Sequence, residues 1–133
     1  MTQRQLAVVV LAAGQGTRMV SAKPKVMHEL AGLPLIGHAL ATATSIDAAH
    51  VIPVVRHEKD LIVEYIQQHF PTATIAEQDE IPGTGRAVEC GLTALPADFD
   101  GAVVVTSGDV PLLDVATIET LIEAHLDAGT AAT

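Results

Sequence analysis

Eight consecutive apolar residues, Leu6 to Ala13, closed by Gly14 and Gly16 and followed by Arg18, Lys23 and Lys25, constrain this chain more than any other feature. An unbroken run of that length, with Val8, Val9 and Val10 side by side, suits a strand covered on both faces. Such strands belong to parallel sheets flanked by helices. The run falls far short of the ~20 residues that cross a bilayer. Arg4 ahead of it gives the outline of a short secretory leader, but the β-branched triplet and the Gly and cationic residues behind it favour a strand.

The rest of the chain alternates in the same sense. Residues 14 to 33 read as a long loop punctuated by Gly and Pro, with Pro34 as the first residue of a helix whose stripe is Ile36, Ala39, Leu40 and Ala43. Val51 to Val55 is a second strand, which Pro53 marks as short or near an edge. Leu61, Ile62, Tyr65, Ile66 and His69 predict an amphipathic helix over 58–69, and Thr74 to Ala76 a short strand. Gly83 to Leu95 reads as helix, with Thr84 as N-cap and Val88, Gly91, Leu92 and Leu95 on one face. Ala102 to Thr106 is another strand. Asp114 caps a last helix with Val115, Ile118, Ile122 and His125 in line, and Gly129 stops it. This order predicts an α/β fold, a doubly wound and mainly parallel sheet with right-handed crossovers.

The 133 residues make one domain, without repeats, low-complexity tracts or linkers. Thr130 to Thr133 begin a segment that never develops, so the chain is expected to stop mid-architecture, as a truncated product does. With 49% hydrophobic residues but only Tyr65, Phe70 and Phe99 aromatic, the core must be aliphatic. Few stacking platforms argue against a single-strand nucleic-acid binder. Cys90 is the single cysteine, which excludes an internal disulfide or thiolate cluster and fits a reducing cytoplasm.

Charge is distributed unevenly. Residues 1 to 25 carry four basic groups and no acid, whereas the remainder carries three basic groups against sixteen acids, for a total of −9. An acidic surface repels polynucleotides and anionic membranes, while a cationic segment within it attracts a small anion. A phosphorylated small molecule fits that pattern.

Three constellations carry chemistry. Leu11-Ala12-Ala13-Gly14-Gln15-Gly16-Thr17-Arg18 ends a strand with glycines whose backbone N–H groups can turn to an anion. It lacks the Gly-Lys-Ser/Thr of a P-loop and the third glycine of the dinucleotide fingerprint, so an ordinary βα turn accounts for it equally well. Arg18 and Lys25, the latter oriented by Pro24, add the positive charge that phosphates need, although a solvated cationic loop remains the alternative. Thr106-Ser107-Gly108-Asp109 puts one carboxylate just past a strand, enough to begin a Mg²⁺ site completed by substrate phosphates. A turn-forming Gly-Asp explains it too. Gln78 with Gly83-Thr84-Gly85 offers a donor–acceptor side chain and a glycine-led helix start, which the start of a helix alone also explains. The six histidines show no ligand spacing, Ser107 has no evident base, and Cys90 reads as a small buried apolar residue.

Leu11 to Met19 with Pro24-Lys25-Val26 resembles the signature of the sugar-phosphate nucleotidylyltransferases. With His28-Glu29-Leu30-Ala31-Gly32, Gln78, Gly83-Thr84-Gly85 and Gly108-Asp109-Val110-Pro111-Leu112, it resembles more narrowly the N-terminal uridylyltransferase domain of the bacterial bifunctional N-acetylglucosamine-1-phosphate uridylyltransferase/glucosamine-1-phosphate acetyltransferase family. The resemblance implies a Rossmann-like nucleotide-diphospho-sugar transferase fold. It also implies Mg²⁺-dependent transfer of UMP from UTP to N-acetylglucosamine 1-phosphate, giving UDP-N-acetylglucosamine for cell-wall synthesis and pyrophosphate.

By the same resemblance Leu11, Ala12, Ala13 and Gly14 line the nucleotide, and Arg18 and Lys25 hold the phosphates as the catalytic cations. Gln78, Gly83 and Thr84 read uracil, Asp109 ligands Mg²⁺, and Ser107 and Gly108 flank the nucleoside. Two residues depart from the family: Arg86 stands where His is common after Gly-Thr-Gly, and Ser107 where an aromatic is common. A second metal ligand, an Asn, most of the sugar contacts, and the acetyltransferase β-helix that builds the family's homotrimer lie in later sequence. The 133 residues are therefore expected to be inactive alone. Other expectations remain open: another nucleoside triphosphate or sugar phosphate, or a nucleotide-binding module without catalysis.

Overall fold

Ala7, Val8, Val9 and Val10 are wholly inaccessible to solvent, because the strand that carries them is hydrogen-bonded on both sides and covered on both faces. The computed structural model describes residues 5–12, 29–46, 48–56, 59–81, 83–99, 101–108 and 115–129. In chain order these form β1 (Gln5–Leu11), β2 (Glu29–Leu30), β3 (Leu33–Pro34), α1 (Leu35–Ser45), β4 (His50–Val55), α2 (Lys59–His69), β5 (Ala76–Glu77), α3 (Thr84–Leu92), β6 (Gly101–Ser107) and α4 (Val115–Ala128). The main sheet runs β5-β4-β1-β6 with all three pairings parallel. The strand order moves outward from β1 to β5 and then returns to the far side of β1, so its direction reverses between β1 and β6. That is the doubly wound, Rossmann-like arrangement expected.

Alternation along each strand divides the core. Val8, Val10, Ala12 and Val55 face Ile36, Leu40, Ile62, Ile66 and Ile118, contributed by α1, α2 and α4. Val9, Ile52 and Val54 face the other way and meet Ala87 of α3. Period two in the strands therefore separates the two helical layers. Helix α3 lies close to the sheet because its buried face is small, formed by Ala87, Cys90 and Gly91. A Cβ on Gly91 would stand 3.0 Å from methyl carbons of both Val54 and Val9.

Several expectations need correction. Residues 29–33, placed in the long loop, form with Pro34 the hairpin β2–β3, with Ala31 (φ 54) and Gly32 (φ 85) in the positive-φ geometry that a tight hairpin turn demands. Pro34 ends β3 and is the N-cap of α1 rather than its first residue; its ψ of 151 is extended. Gly83 (φ 113), not Thr84, is the N-cap of α3, since only glycine takes that backbone conformation cheaply. Helix α3 stops at Leu92, three residues short of Leu95, and Leu92 is exposed. Leu61 is exposed and His69 lies outside the core, whose α2 contacts centre on Ile62 and Ile66.

Pro53 is not at an edge. Strand β4 lies between β1 and β5, and the effect of Pro53 falls on its neighbour. Val51 and Val55 accept from the N–H groups of Thr74 (2.9 Å) and Gln78 (2.9 Å), so Pro53 between them faces β5 without an N–H to give. The β4–β5 ladder accordingly begins only at Val54. Gly129 ends α4 as expected, with φ 64 and its N–H bonded to the His125 carbonyl at 3.2 Å. The expected cap Asp114, and Thr130 to Thr133, lie outside the described residues. Among the described residues no helix is long and apolar enough to cross a membrane.

Adjacent positions on α2 test the core assignment. Ile62→Ala should lower unfolding stability by about 3 kcal/mol, and Leu61→Ala by less than about 1 kcal/mol, in denaturant titration. Gly91→Val should cost about 2 kcal/mol by overpacking between α3 and the sheet; unaltered stability would contradict the close approach.

Candidate functional site

Parallel strands end at the same rim, and here hydrogen bonds join the ends. The Gly108 N–H donates to the Leu11 carbonyl at 2.8 Å, just past the pairing of Leu11 with Ser107. The Ala12 N–H donates to the Val54 carbonyl at 2.8 Å, and that of Gln78 to the Val55 carbonyl at 2.9 Å. Leu11, Ala12, Gln78, Ser107 and Gly108 therefore share the carboxyl rim of one sheet, the rim at which open α/β sheets bind ligands. Gly108 is buried, whereas Gly83 and Thr84 are exposed at the start of α3.

The segment after β5 is held by polar contacts. Gln78 is the buried polar residue of the described core, 6% exposed, and its Nε2 donates to the carbonyls of Ile81 (2.9 Å) and Gly83 (3.1 Å). Carbonyls only accept, so the atom between them must be the NH₂ of the amide, which fixes its orientation. With both Nε2 hydrogens committed to the turn, Oε1 is left to offer lone pairs.

Asp79 accepts the Ile81 N–H at 3.1 Å and receives the Arg86 guanidinium on both carboxylate oxygens, the Nε contacts measuring 3.1 and 3.0 Å and Nη2 closing the fork. Arg86 Nη1 reaches Glu89 at 3.3 Å, and Arg56 Nη2 donates to the Glu80 carbonyl at 3.0 Å. The Arg86 hydrogen bonds hold the Asp79 carboxyl below its ordinary value, against a smaller opposing effect of burial. Arg86, in turn, is pushed above its ordinary value by Asp79. A depressed carboxyl contributes above its unfolded value and loses that contribution as pH falls through the folded one, so the pair is intact at neutral pH and fails only in acid.

The structure thus brings together Leu11, Ala12, Gln78, Ser107 and Gly108, with Gly83 and Thr84 beside Gln78. The expected residues Ala13, Gly14, Arg18, Lys25 and Asp109 lie outside the described residues. Arg86, singled out in the sequence as a departure, has an identified role in holding Asp79. Arg56, Asp79 and Ile81 carried no sequence signal, because their contacts join separate elements or run through backbone carbonyls. Among the described residues no group of three or more His, Cys, Asp and Glu could hold a metal. A depression of about 410 Å³ beside α2 is lined by Asp60, Glu64 and Glu77, whose charge repels phosphates. His38 is structural: its Nε2 donates to the Leu30 carbonyl at 2.6 Å and ties the hairpin to α1.

A rim of this kind, with backbone turns beside a buried amide, suits a ligand that has a flat hydrogen-bonding group. The chain is 63% identical over 123 residues to the bifunctional protein GlmU of Clavibacter sepedonicus, an alignment covering 92% of this chain and 25% of that protein. It is 59% identical over 133 residues to the bifunctional protein GlmU of Leifsonia xyli, covering all of this chain and 27% of that protein. The chain thus spans about a quarter of the length of these curated relatives. A solved nucleotidyl transferase from Methanothermobacter has the same fold, with a TM-score of 0.76 at 21% identity, over 91% of this chain and 58% of that one. The family model of the MobA-like NTP transferase domain matches residues 8–133. This chain belongs to the MobA-like NTP transferase domain family.

Proposed function

We propose that this chain forms the nucleotide-binding part of a Mg²⁺-dependent uridylyltransferase that transfers UMP from UTP to N-acetylglucosamine 1-phosphate, releasing pyrophosphate. The observation that carries the reading is the joined rim, where Gly108 is hydrogen-bonded to Leu11. In sequence, Arg18 and Lys25 follow Ala12 at a short distance, and Asp109 follows Gly108 directly. A triphosphate held there would draw positive charge from the residues that follow one strand end and a carboxylate from the residue that follows the other.

The commitment of the Gln78 NH₂ to Ile81 and Gly83 favours uracil. Oε1 as an acceptor suits the N3–H of uracil, whereas cytosine presents a lone pair at N3 and would repel it. Leu11 to Gly14 would line the nucleotide, Gly83 and Thr84 would meet the base, and Ser107 and Gly108 would lie beside the nucleoside. Arg18 and Lys25 would bind the phosphates.

The reaction calls for no protein nucleophile. A phosphate oxygen of the sugar phosphate attacks the α-phosphorus of UTP in line, and pyrophosphate leaves. Position and charge neutralisation are then the contributions of the protein. A carboxylate such as that of Asp109 is the donor type that Mg²⁺ takes beside substrate phosphates. Asp109 would hold it, and when bound it neutralises charge on the phosphates. The identity to GlmU proteins supports the choice of substrates, and the quarter-length match supports placing the remaining sugar contacts elsewhere in a longer enzyme. A trimer and a second, acetyl-transferring domain follow from the same resemblance.

The test is a panel of UTP, CTP and GTP with several sugar 1-phosphates, using the full-length protein that carries this chain and measuring pyrophosphate release. UTP with N-acetylglucosamine 1-phosphate should exceed every other pair by at least about tenfold in kcat/KM, and a preference for another pair would replace the assignment. Removing divalent metal with EDTA should abolish turnover and Mg²⁺ restore it. Lys25→Ala should reduce kcat more than about tenfold, the scale of one lost charge contact; unchanged kcat would separate Lys25 from the reacting phosphates. The isolated 133 residues should give no detectable product.

A further inference from the structure

Residues 78–81 carry Gln78, expected to read the base together with Gly83 and Thr84, yet the apolar core does not hold their outer half. Ile81 is 55% exposed, and Asp79 and Glu80 are exposed as well; only Gln78 is buried. What fixes the outer half is polar and comes from two sides. Arg56, just past β4, holds the Glu80 carbonyl, and Arg86, in the first turn of α3, grips both oxygens of Asp79. Asp79 in turn fixes the Ile81 N–H, whose own carbonyl receives Gln78 Nε2. The chain of contacts runs without a gap from Arg86 to the amide of Gln78.

We propose that Arg86 is a positioning residue for nucleotide recognition: its two-pronged grip on Asp79 holds residues 78–81 in the shape that presents Gln78 to the base. This rests on the reading that Gln78 meets the base. The side chains of Arg86 and Asp79 are 33% and 42% exposed, so the pair adds little to global stability. Its effect is local. A planar fork onto a carboxylate fixes orientation as well as distance, which an ammonium cannot do. Glu89 steadies the remaining guanidinium nitrogen, so the fork is oriented before any ligand arrives. Without Arg86, Asp79 keeps only the Ile81 N–H, the Ile81 carbonyl is held less firmly, and Gln78 Nε2 is left with the Gly83 carbonyl as its one firmly placed partner.

The test uses the full-length protein with the variants R86A, R86K, D79N and the double variant R86A/D79N. Hydrogen exchange without nucleotide reads the loop directly: amides of 78–81 should exchange at least about tenfold faster in R86A, while those of β4 stay protected. Steady-state kinetics should show KM for UTP raised about fivefold in R86A and D79N, with kcat within about twofold. R86K should lie between R86A and the parent, and the double variant should be no worse than either single one, because all break the same contact.

Unchanged exchange at 78–81 overturns the proposal whatever the activity. Faster exchange with unchanged KM leaves the grip real but removes it from nucleotide binding, which also unseats Gln78 as the base reader. Fully additive effects in the double variant, or a loss confined to kcat, overturn the positioning role. If the parent prefers CTP or GTP while R86A raises KM for that nucleotide, the positioning role stands and the uracil assignment falls.

Discussion

A strand that is bonded on both sides and covered on both faces has no place for a polar side chain until it ends. β1 is such a strand, with β4 and β6 on its flanks and helices above and below. Its registers with both neighbours are fixed by burial, because a slip of one residue would turn Val8 and Val10 into the layer that receives Val9. The same registers decide which residues stand together at the rim. Pairing of Leu11 with Ser107 and with Val54 brings Ala12 and Gly108 to one place, far apart though they are in the chain. The apolar core therefore sets the geometry of the rim on this side.

On the β5 side the scaffold is different. Pro53 removes one donor from β4, the ladder to β5 shrinks to two residue pairs, and the chain past Glu77 lacks the long sheet contact that steadies β1. Gln78, Asp79, Arg86 and Arg56 supply fixation there by hydrogen bonds. A short strand with two residue pairs is followed by a turn that side-chain hydrogen bonds, and not the sheet, hold in place. The two halves of the rim thus differ in how they are held, one by register and one by side-chain bonds.

What was legible in the sequence follows from range. The continuous apolar run of β1 and the helical stripes of α1 and α4 depend on burial and period alone, and Ile36, Leu40 and Ile118 lie where their spacing puts them. The hairpin β2–β3 was hidden because its strands are two residues long and its turn is Ala31-Gly32, without the Asn or Asp that announces such turns. Leu61 matched a helical stripe, but only the neighbouring layers decide which side of that stripe is deepest. Thr84 looked like a cap by residue type, and the backbone of Gly83 took the position instead. Within the candidate site, the rim residues Leu11, Ser107, Gly108 and Gln78 were legible through motif and strand order. The grip of Arg86 on Asp79 spans seven residues across a turn, a spacing that no local rule links.

Charge closes the argument between fold and function. Sixteen acids on so small a chain generate a field hostile to any anion, and three of them, Asp60, Glu64 and Glu77, line the depression beside α2. A phosphate ligand must therefore approach where that field is cancelled. Around residues 78–89 the arginines do part of this: Arg86 neutralises Asp79 and meets Glu89, and Arg56 stands over the Glu80 carbonyl. Of the five remaining cations, Lys59 begins α2 and the other four fall within the first 25 residues of the sequence. An acidic body that holds four of its seven cations within the first 25 residues of its sequence disfavours extended polyanions, since a polymer bound to it would have to lie across the acids as well.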